Sequence, residues 1–407
     1  MNNQLLTVAQ LITAVLRLSA TPADILARLG AAHGVGWELL ADHADGHSLT
    51  PLLHDTWRRA QALELIPAQI QQRMARAYTD NAARNQNIRT EFVEIHRILT
   101  QARVPHIVLK GWPLVERLYP DSAHRVLYDH DFLVPVEQAQ AGYQALLAAG
   151  FKPLPAKDGW VEKHLPPLWR NNRYRWNGYL FDPDYPRPVE LHLRLWEQGW
   201  RGLQVGQLNH LWPHAQTRPI AGVPVQLLSD EDTLLHLAMH FAGHLVEREA
   251  RLNQLLDLAR FAQQPSLLDW EYIWAQADRA GIGRFVYASL LLAHKIFAAP
   301  LPPAMIWQRL TAVTPRGFRD WLEEQGVTDV LTADYRRPQQ GQAYRLTFLS
   351  AVSIREWLGI VRFALLPPLG QLMVKYELER PWLGYLCYPR YVFERMDTYG
   401  RKWFDKR

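Results

Sequence analysis

Cysteine is nearly absent from this 407-residue chain, which has only Cys387. A single cysteine excludes an intrachain disulfide and a zinc site built from several thiolates. This usage suits a reducing compartment, and we expect a cytoplasmic protein. The first residues, MNNQLLTVAQLITAVLRLSA, have no basic start, so an amphipathic helix is favoured over a signal peptide.

Long hydrophobic runs are also missing. No segment has the ~18 or more uninterrupted apolar residues of a typical membrane-spanning helix. The nearest candidates are interrupted by His294 and Lys295 in one case, and by Arg362 and two prolines in the other. The second stretch, around 357–374, could seat on a membrane surface, but a partly basic core helix is the favoured interpretation. We therefore expect a soluble protein without a membrane span.

Neither sign of charge dominates the composition. The chain has 45 basic and 40 acidic residues, a net charge of +5. This excess is small for the length and gives little support to bulk nucleic-acid binding. A nucleic-acid partner is therefore left open but is not favoured.

The hydrophobic period changes along the chain and predicts four regions. Helical spacing fills 1–104, and short β-type runs with intervening helices fill 105–228. Helical spacing returns in 229–314, and 315–407 is predicted to be a helical and loop extension. The length is sufficient for two or three separate cores.

One apolar run in the second region, VLYDHDFLV (residues 126–134), contains two aspartates. If the run is a strand, Asp129 and Asp131 share a face and lie roughly 6.6 Å apart along the chain. Two ionised carboxylates at that distance repel by about 2.5 kcal/mol at an effective dielectric constant of ~20. Burial would raise their pKa values further. A divalent cation is the simplest candidate to offset this cost.

A later run, PVELHLRLW, alternates so that Glu190 and His192 share the polar face. If this strand neighbours the first, three carboxylates converge, and oxygen ligands of this kind suit Mg²⁺. Two such ions can stabilise both the attacking and the leaving oxygen of a phosphoryl displacement. Lys110 and Arg125 would supply positive charge to phosphates, and Gly111 would allow close backbone approach. His192 either holds an acid or a phosphate, or makes a structural hydrogen bond.

The stretch LKGWPLVERLYPDSAHRVLYDHDFLV (109–134) resembles the signature of the DNA polymerase β-type nucleotidyltransferase superfamily. More narrowly, it resembles the bacterial branch of "nucleotidyltransferase family" proteins. VELHLRLW resembles the acid-x-His strand of that branch, and LHLAMHFAGH resembles its helical segment after the sheet. The resemblance extends over roughly 30–395.

The resemblance implies an α+β fold, with a small mixed-sheet nucleotidyltransferase core flanked by N- and C-terminal helical regions. It also implies Mg²⁺-dependent transfer of a nucleoside monophosphate from an NTP to a hydroxyl of a small-molecule, sugar or peptide acceptor. Asp129 and Asp131 would be metal ligands, and Glu190 would be the third acid and a candidate base. Two ions are expected. The acceptor is not identified by the sequence.

The sequence departs from the superfamily pattern in two places. Lys110-Gly111 replaces the Gly-Ser of better-known members, and His130 replaces an aliphatic residue between the aspartates. We expect the His130 side chain to face away from the acids. Two alternatives stay open: a non-catalytic nucleotide-binding accessory factor on the same fold, or a toxin-type enzyme that modifies tRNA or protein.

Two further clusters are candidates for ligand contact. The segment 169–179 interleaves Arg170, Arg173 and Arg175 with aromatic residues, which suits a nucleotide or acceptor, or alternatively a solvent-facing hairpin. His236, His240 and His244 recur at helical spacing on one face. No HExxH motif accompanies them, so metal binding is disfavoured there. A place in the wall of a nucleotide or acceptor pocket remains open, with His240 as the candidate.

Overall fold

The computed structural model describes residues 3–154, 162–170, 173–263, 268–332, 340–378 and 380–404. Helices dominate both ends of the chain. Their bounds are α1 (Asn3–Leu16), α2 (Pro22–Gly30), α3 (Trp37–Gly46), α4 (Thr50–Arg59), α5 (Ala68–Gln101), α6 (Trp112–Leu118), α7 (Val136–Ala148), α8 (Leu211–His214), α9 (Asp230–Glu247), α10 (Leu252–Ala262), α11 (Trp270–Arg279), α12 (Gly283–Phe297), α13 (Ala304–Ala312), α14 (Arg316–Glu324), α15 (Val327–Leu331), α16 (Gln340–Ser350), α17 (Ile354–Leu365), α18 (Leu369–Lys375) and α19 (Pro381–Phe404).

One mixed β-sheet occupies the middle of the chain. Its strands are β1 (Ile107–Val108), β2 (His130–Leu133), β3 (Lys152–Pro153), β4 (Leu168–Trp169), β5 (Val189–His192), β6 (Gln216–Ile220) and β7 (Val223–Leu227), in the order β3-β4-β5-β2-β1-β7-β6. β2 pairs in parallel with β5, and β1 in parallel with β7. The other pairs are antiparallel. A mixed sheet with flanking helices confirms the predicted α+β class, whereas the division into four regions stays a prediction.

The strand predicted over 126–134 is wrong in its extent, because only His130–Leu133 joins the sheet. Carbonyl groups of the preceding residues accept hydrogen bonds from polar side chains of α5 and not from a neighbouring strand. Arg84 donates to the Leu127 carbonyl at 2.8 Å, and Asn85 donates to the Arg125 carbonyl at 2.8 Å. Since those carbonyls are already satisfied, the segment needs no neighbouring strand. Asp129 therefore lies just before the strand, and Asp131 lies within it.

The β6–β7 hairpin was not predicted from the sequence, although its turn has a clear signal. Ala221 and Gly222 both adopt positive φ, at 54° and 83°. Two-residue hairpin loops prefer such backbone angles, which glycine adopts without steric cost. The Ala-Gly pair between two alternating runs is the sequence signal that indicates this hairpin turn.

The two faces of the sheet meet different helices. One face packs on α5, where the rings of Phe92 and Phe132 stack with centroids 6.1 Å apart. His130 also points to this side and lies 3.3 Å from Glu91 of α5, which confirms that it faces away from the acids. The acidic face turns toward α9 and α10. A larger apolar core joins the N-terminal helices to those that follow α9, with Trp57, Phe241 and Phe285 fully buried in it.

The apolar stretch around 357–374 is not a core helix, contrary to the prediction. Only Glu356 and Ile360 are buried in α17. By length and composition alone, Ile354–Lys375 is apolar enough to cross a membrane, and only 17% of its most apolar 18-residue window is buried. The helix ends at Leu365 and a new one begins after Pro367 and Pro368.

Candidate active site

Asp131 and Glu190 lie side by side at the centre of the sheet. Parallel pairing of β2 with β5 puts Asp131 in register with Glu190, so both side chains project from the same face. His192, two residues further along β5, bridges them. Its Nε2 lies 2.9 Å from Asp131 Oδ1 and 3.2 Å from Glu190 Oε2. The predicted convergence of the two strands is present in the structure.

Lys110 supplies the nearest full positive charge. Its Nζ lies 2.6 Å from Asp131 Oδ2 and 3.2 Å from both carboxylate oxygens of Asp129. Lys110 follows β1, and Gly111 then turns the chain into α6 with φ of 80°. A side chain would be strained at that backbone angle. The Lys-Gly turn thus holds the ammonium group between the two aspartates.

His164 completes the acidic cluster and was missed by the sequence analysis. Its Nε2 lies 3.5 Å from Glu190 Oε2, and its ring centroid lies 5.3 Å from that of His192. Its Nδ1 is 2.7 Å from the Leu165 carbonyl, which can only accept, so Nδ1 carries the proton. In the neutral ring, Nε2 therefore directs a lone pair toward an ionised carboxylate. A proton or a metal ion between these two atoms would relieve their repulsion.

The charges in this cluster do not balance. Burial and the neighbouring Asp131 charge raise the pKa of Asp129, although its side chain stays 31% exposed toward a cavity. Burial alone would raise the pKa of Asp131, but Lys110 and His192 outweigh it and hold that pKa well below its usual range. Burial alone would lower the pKa of His192, but contact with Asp131 and Glu190 outweighs burial and raises that pKa. Three carboxylates share Lys110 and His192, so even with His192 protonated the cluster retains capacity for added positive charge.

The residues fit a divalent cation. Asp131, Glu190 and His192 each offer one ligand atom, and these atoms all lie within 4.8 Å of one another. Two carboxylate oxygens and an imidazole nitrogen are acceptable ligands for several divalent metals. This set differs from the predicted trio in having His192 in place of Asp129, whose carboxylate contacts Lys110. The role of Asp129 as a ligand remains a prediction.

A cavity of about 730 Å³ opens beside the acids. Lys110 and Asp129 lie on its wall. Its other lining residues come from 125–128, from 176–185 and from α9, α10 and the link between them: Arg125, Val126, Leu127, Tyr128, Trp176, Gly178, Leu180, Tyr185, Leu237, His240, His244, Glu249, Arg251, Asn253, Gln254 and Asp257. Cavities of this size hold small-molecule ligands.

Aromatic and cationic side chains form much of the cavity wall. Tyr128 lines the cavity and pairs its hydroxyl with Ser48 Oγ at 2.9 Å. The guanidinium groups of Arg84 and Arg251 lie 5.3 and 5.4 Å from its ring centroid. Trp176 packs edge-on against Tyr185, with ring centroids 5.4 Å apart. The wall thus combines stacking surfaces with positive charge, which suits an anionic aromatic ligand.

Arg125 lies on the cavity wall but forms an ion pair with α10. Its Nη2 is 2.8 Å from Asp257 Oδ2, and Tyr119 donates its hydroxyl to Asp257 Oδ1 at 2.6 Å. Asp257 balances the charge of Arg125 and ties α10 to the segment before β2. Phosphate binding by Arg125 stays a prediction, and it would share this guanidinium with Asp257.

The arginines of 169–179 are not part of the cavity wall. Arg170 forms an ion pair with Glu94 at 2.6 Å on α5, beside a different cavity of about 200 Å³. Arg173 and Arg175 are exposed. Trp176 is the part of this segment that reaches the large cavity, together with Gly178. Contact of the three arginines with an acceptor or nucleotide therefore remains a prediction.

The histidine row of α9 runs along the cavity. His240 lines it, with ring centroids 6.2 Å from His236 and 4.8 Å from His244. Burial lowers the pKa of His236 to about 3 and lowers that of His240 in the same direction. Neutral imidazoles above the acid cluster add hydrogen-bonding groups without adding charge. His240 thus lines the large cavity, and its contact with a nucleotide or acceptor stays a prediction.

Comparison with known protein families gives a match over much of the chain. A family model described as "Uncharacterised nucleotidyltransferase" matches residues 33–298, more than half of the chain. The matched range includes all the residues of the acidic cluster and the cavity wall. No curated protein and no solved structure matches the chain.

Proposed function

Because this chain belongs to the family described as uncharacterised nucleotidyltransferase, and is an enzyme of nucleotidyl transfer, we propose that it acts on a free hydroxyl acceptor. A nucleoside monophosphate moves from an NTP to a small molecule, sugar or peptide. The proposal includes membership of the DNA polymerase β-type superfamily, of bacterial origin, and dependence on Mg²⁺. Asp131, Glu190 and His192 are the proposed inner ligands, with Asp129 beside them.

The observation that carries this proposal is the in-register pair of Asp131 and Glu190 on parallel strands, next to a cavity of about 730 Å³. A structural ion pair would bring matching positive charge to these acids. Here three carboxylates share Lys110, and the remaining negative charge lies at the wall of a ligand-sized space. That arrangement favours a metal-dependent reaction on a charged ligand.

The cavity suggests how an NTP would lie. Its triphosphate would lie near Lys110, with the Gly111 turn close by and Arg251 as a second cationic residue of the wall. The base would stack on Tyr128 or Tyr185, whose rings line the same space. Aromatic faces bind any base, so this wall by itself predicts weak base preference.

The chain's own groups support an in-line displacement. The acceptor hydroxyl attacks the α-phosphorus, its proton passes to Glu190, and the bond to pyrophosphate breaks. Glu190 is ionised for this role, because contact with His192 lowers its pKa against the opposing effect of burial. A divalent cation, when bound, supplies positive charge to the attacking and leaving oxygens. Catalysis then depends mainly on positioning and electrostatics.

The first test is NTP binding by calorimetry, with and without Mg²⁺, on wild type and on the Asp129→Asn/Asp131→Asn double variant. Asp320→Asn is a matched control, since this exposed aspartate lies on α14 outside the cavity. We expect Mg²⁺-dependent binding in wild type and control that the double variant loses. Pyrophosphate release with labelled NTPs and a panel of hydroxyl acceptors then measures turnover.

Each outcome separates the hypotheses. Equal binding by wild type and double variant, or no binding of any NTP, would refute the metal site. Binding without pyrophosphate release from any acceptor would favour the non-catalytic accessory factor. Growth arrest on expression that Asp131→Ala relieves would instead favour the toxin-type enzyme.

A further inference from the structure

The outer face of α17 is apolar. Ile354, Trp357, Leu358, Val361 and Leu365 follow helical spacing along one stripe, and each is 39–72% exposed. A surface helix of a globular protein normally turns such a stripe toward the core. In α17 the stripe faces outward over three turns.

Polar and small residues fix α17 in this rotation. Its inward face buries Glu356, which accepts from Arg284 at 2.7 Å and from the backbone amide of Gln204 at 2.8 Å. Gly359 packs directly on Gly202, where an added Cβ on either glycine would lie 2.2 Å from the other's carbonyl oxygen. Rotating the apolar stripe inward would break both contacts. These contacts therefore fix the outward orientation of the stripe.

A second stripe of the same spacing lies on α19. Trp382, Tyr385, Leu386 and Phe393 are 56–74% exposed, and Pro389 continues the row. α19 packs against both α17 and α18, and Tyr388 donates its hydroxyl to the Pro367 carbonyl at 2.7 Å. Monomeric proteins rarely expose apolar patches larger than a few hundred Å² without using them. We call the two rows together the α17–α19 stripe.

Exposed arginines border the α17–α19 stripe. Arg355 and Arg362 lie next to the apolar row of α17, seven residues apart, and neither has an ion-pair partner among the residues described. Glu356, the acidic residue of α17, is fully buried and already paired with Arg284. The accessible charge on this helix is therefore positive. In a symmetric contact between two copies these arginines would face each other, whereas an anionic surface would neutralise them.

We propose that the α17–α19 stripe binds the surface of an anionic lipid bilayer. Aromatic residues, exposed leucines and flanking arginines are the residue types of helices that lie in the headgroup region. α17 has 12 residues and ends before Pro367, so at about 1.5 Å per residue it is too short to span the hydrocarbon layer. The stripe lies in the interface plane rather than crossing it.

The test is vesicle flotation of the full chain without nucleotide, so its outcome does not depend on the proposed activity. Vesicles contain phosphatidylcholine alone or mixed with phosphatidylglycerol. We expect wild type to float with the mixed vesicles and Leu358→Asp/Leu386→Asp to bind at least about tenfold more weakly. Arg355→Gln/Arg362→Gln should lower binding to the mixed vesicles by about fivefold per arginine, with little effect on neutral ones. Val136→Asp on α7 is the control, because Val136 is equally exposed but lies outside the stripe.

Circular dichroism first confirms that each variant is folded, and Leu358→Ser replaces the aspartate variant if it is not. Wild type that stays unbound to mixed vesicles would overturn the proposal. So would equal binding by the Leu358→Asp/Leu386→Asp variant, or an equal loss in Val136→Asp. A concentration-dependent dimer that Leu358→Asp abolishes, without vesicle binding, would identify the stripe as a contact between copies and would also overturn it.

Discussion

Replacing Lys110 by methionine isolates the electrostatic role of the acid cluster. Lys110 contacts Asp129 and Asp131, and methionine keeps most of its aliphatic stem while removing the charge. The variant removes the ammonium contact from both aspartates and leaves His192 against Asp131 and Glu190. Removing one partner of a buried ion pair costs about 3–5 kcal/mol, and the partial exposure of Asp129 favours the lower end.

The expected change in melting temperature follows from the chain length. An unfolding entropy of about 2.1 cal/mol/K per residue gives roughly 0.9 kcal/mol/K for 407 residues. A loss of 3–5 kcal/mol therefore lowers the melting temperature by about 3–6 °C in EDTA. Mg²⁺ should restore most of that loss, because a bound cation replaces the missing charge. The same ion should stabilise wild type less, since Lys110 already neutralises part of the cluster.

The assay is thermal unfolding of wild type and Lys110→Met in EDTA and in saturating Mg²⁺. Lys152→Met is the control, because Lys152 is exposed on β3. An equal loss of stability in EDTA and in Mg²⁺ would show that Lys110 only packs there. No loss in EDTA would refute the claim that the cluster carries uncompensated negative charge.

Two further predictions concern the scaffold. His47 accepts from the backbone amide of Leu252 through Nδ1, and burial lowers its pKa to about 4. The unfolded chain binds this proton near pH 6.5, so stability should fall by up to about 1.4 kcal/mol per pH unit as the pH drops from 6.5 toward 4. Urea unfolding across this range should show a smaller slope for His47→Gln, and an unchanged slope would contradict the assignment. Gly359→Ala should cost at least about 2 kcal/mol by forcing α17 away from Gly202, whereas Gly243→Ala, with open space around it, should be neutral or stabilising by up to about 1 kcal/mol. Equal denaturation midpoints for these two variants would refute the close backbone contact.

The sequence was sufficient to predict the acids but not their neighbours. Alternation in PVELHLRLW placed Glu190 on the polar face, and a one-residue shift in register would have buried it, so the pattern constrains the pairing with Asp131. The cluster also depends on His164, whose segment joins β5 by a single bridge to His192. Asp257 reaches Arg125 from 132 residues away. Local periodicity holds no information about contacts of that separation.

The extent of β2 shows a different reason for failure. Val126 and Leu127 have the apolar character of a strand and are buried, so the pattern predicted their environment correctly. Whether such residues join a sheet depends on where their carbonyls find donors. Arg84 of α5 supplies one of those donors from 43 residues away. Burial was therefore predictable here, and strand pairing was not.

For α17, the sequence predicts which residues share one face of the helix, but not whether that face points to the core or to solvent. Helical spacing correctly groups Trp357, Leu358 and Val361 on one stripe, and a core-facing stripe is the ordinary expectation. The direction is decided by Glu356, whose buried carboxylate is neutralised by Arg284, 72 residues earlier, and also accepts from the Gln204 amide. Burying an unpaired carboxylate in that position would cost several kcal/mol, which would favour a rotation of α17 that exposes Glu356 to solvent. The same ion pair that holds the helix in place therefore forces its apolar face outward, so breaking it with Arg284→Met should release α17 and weaken vesicle binding together with stability.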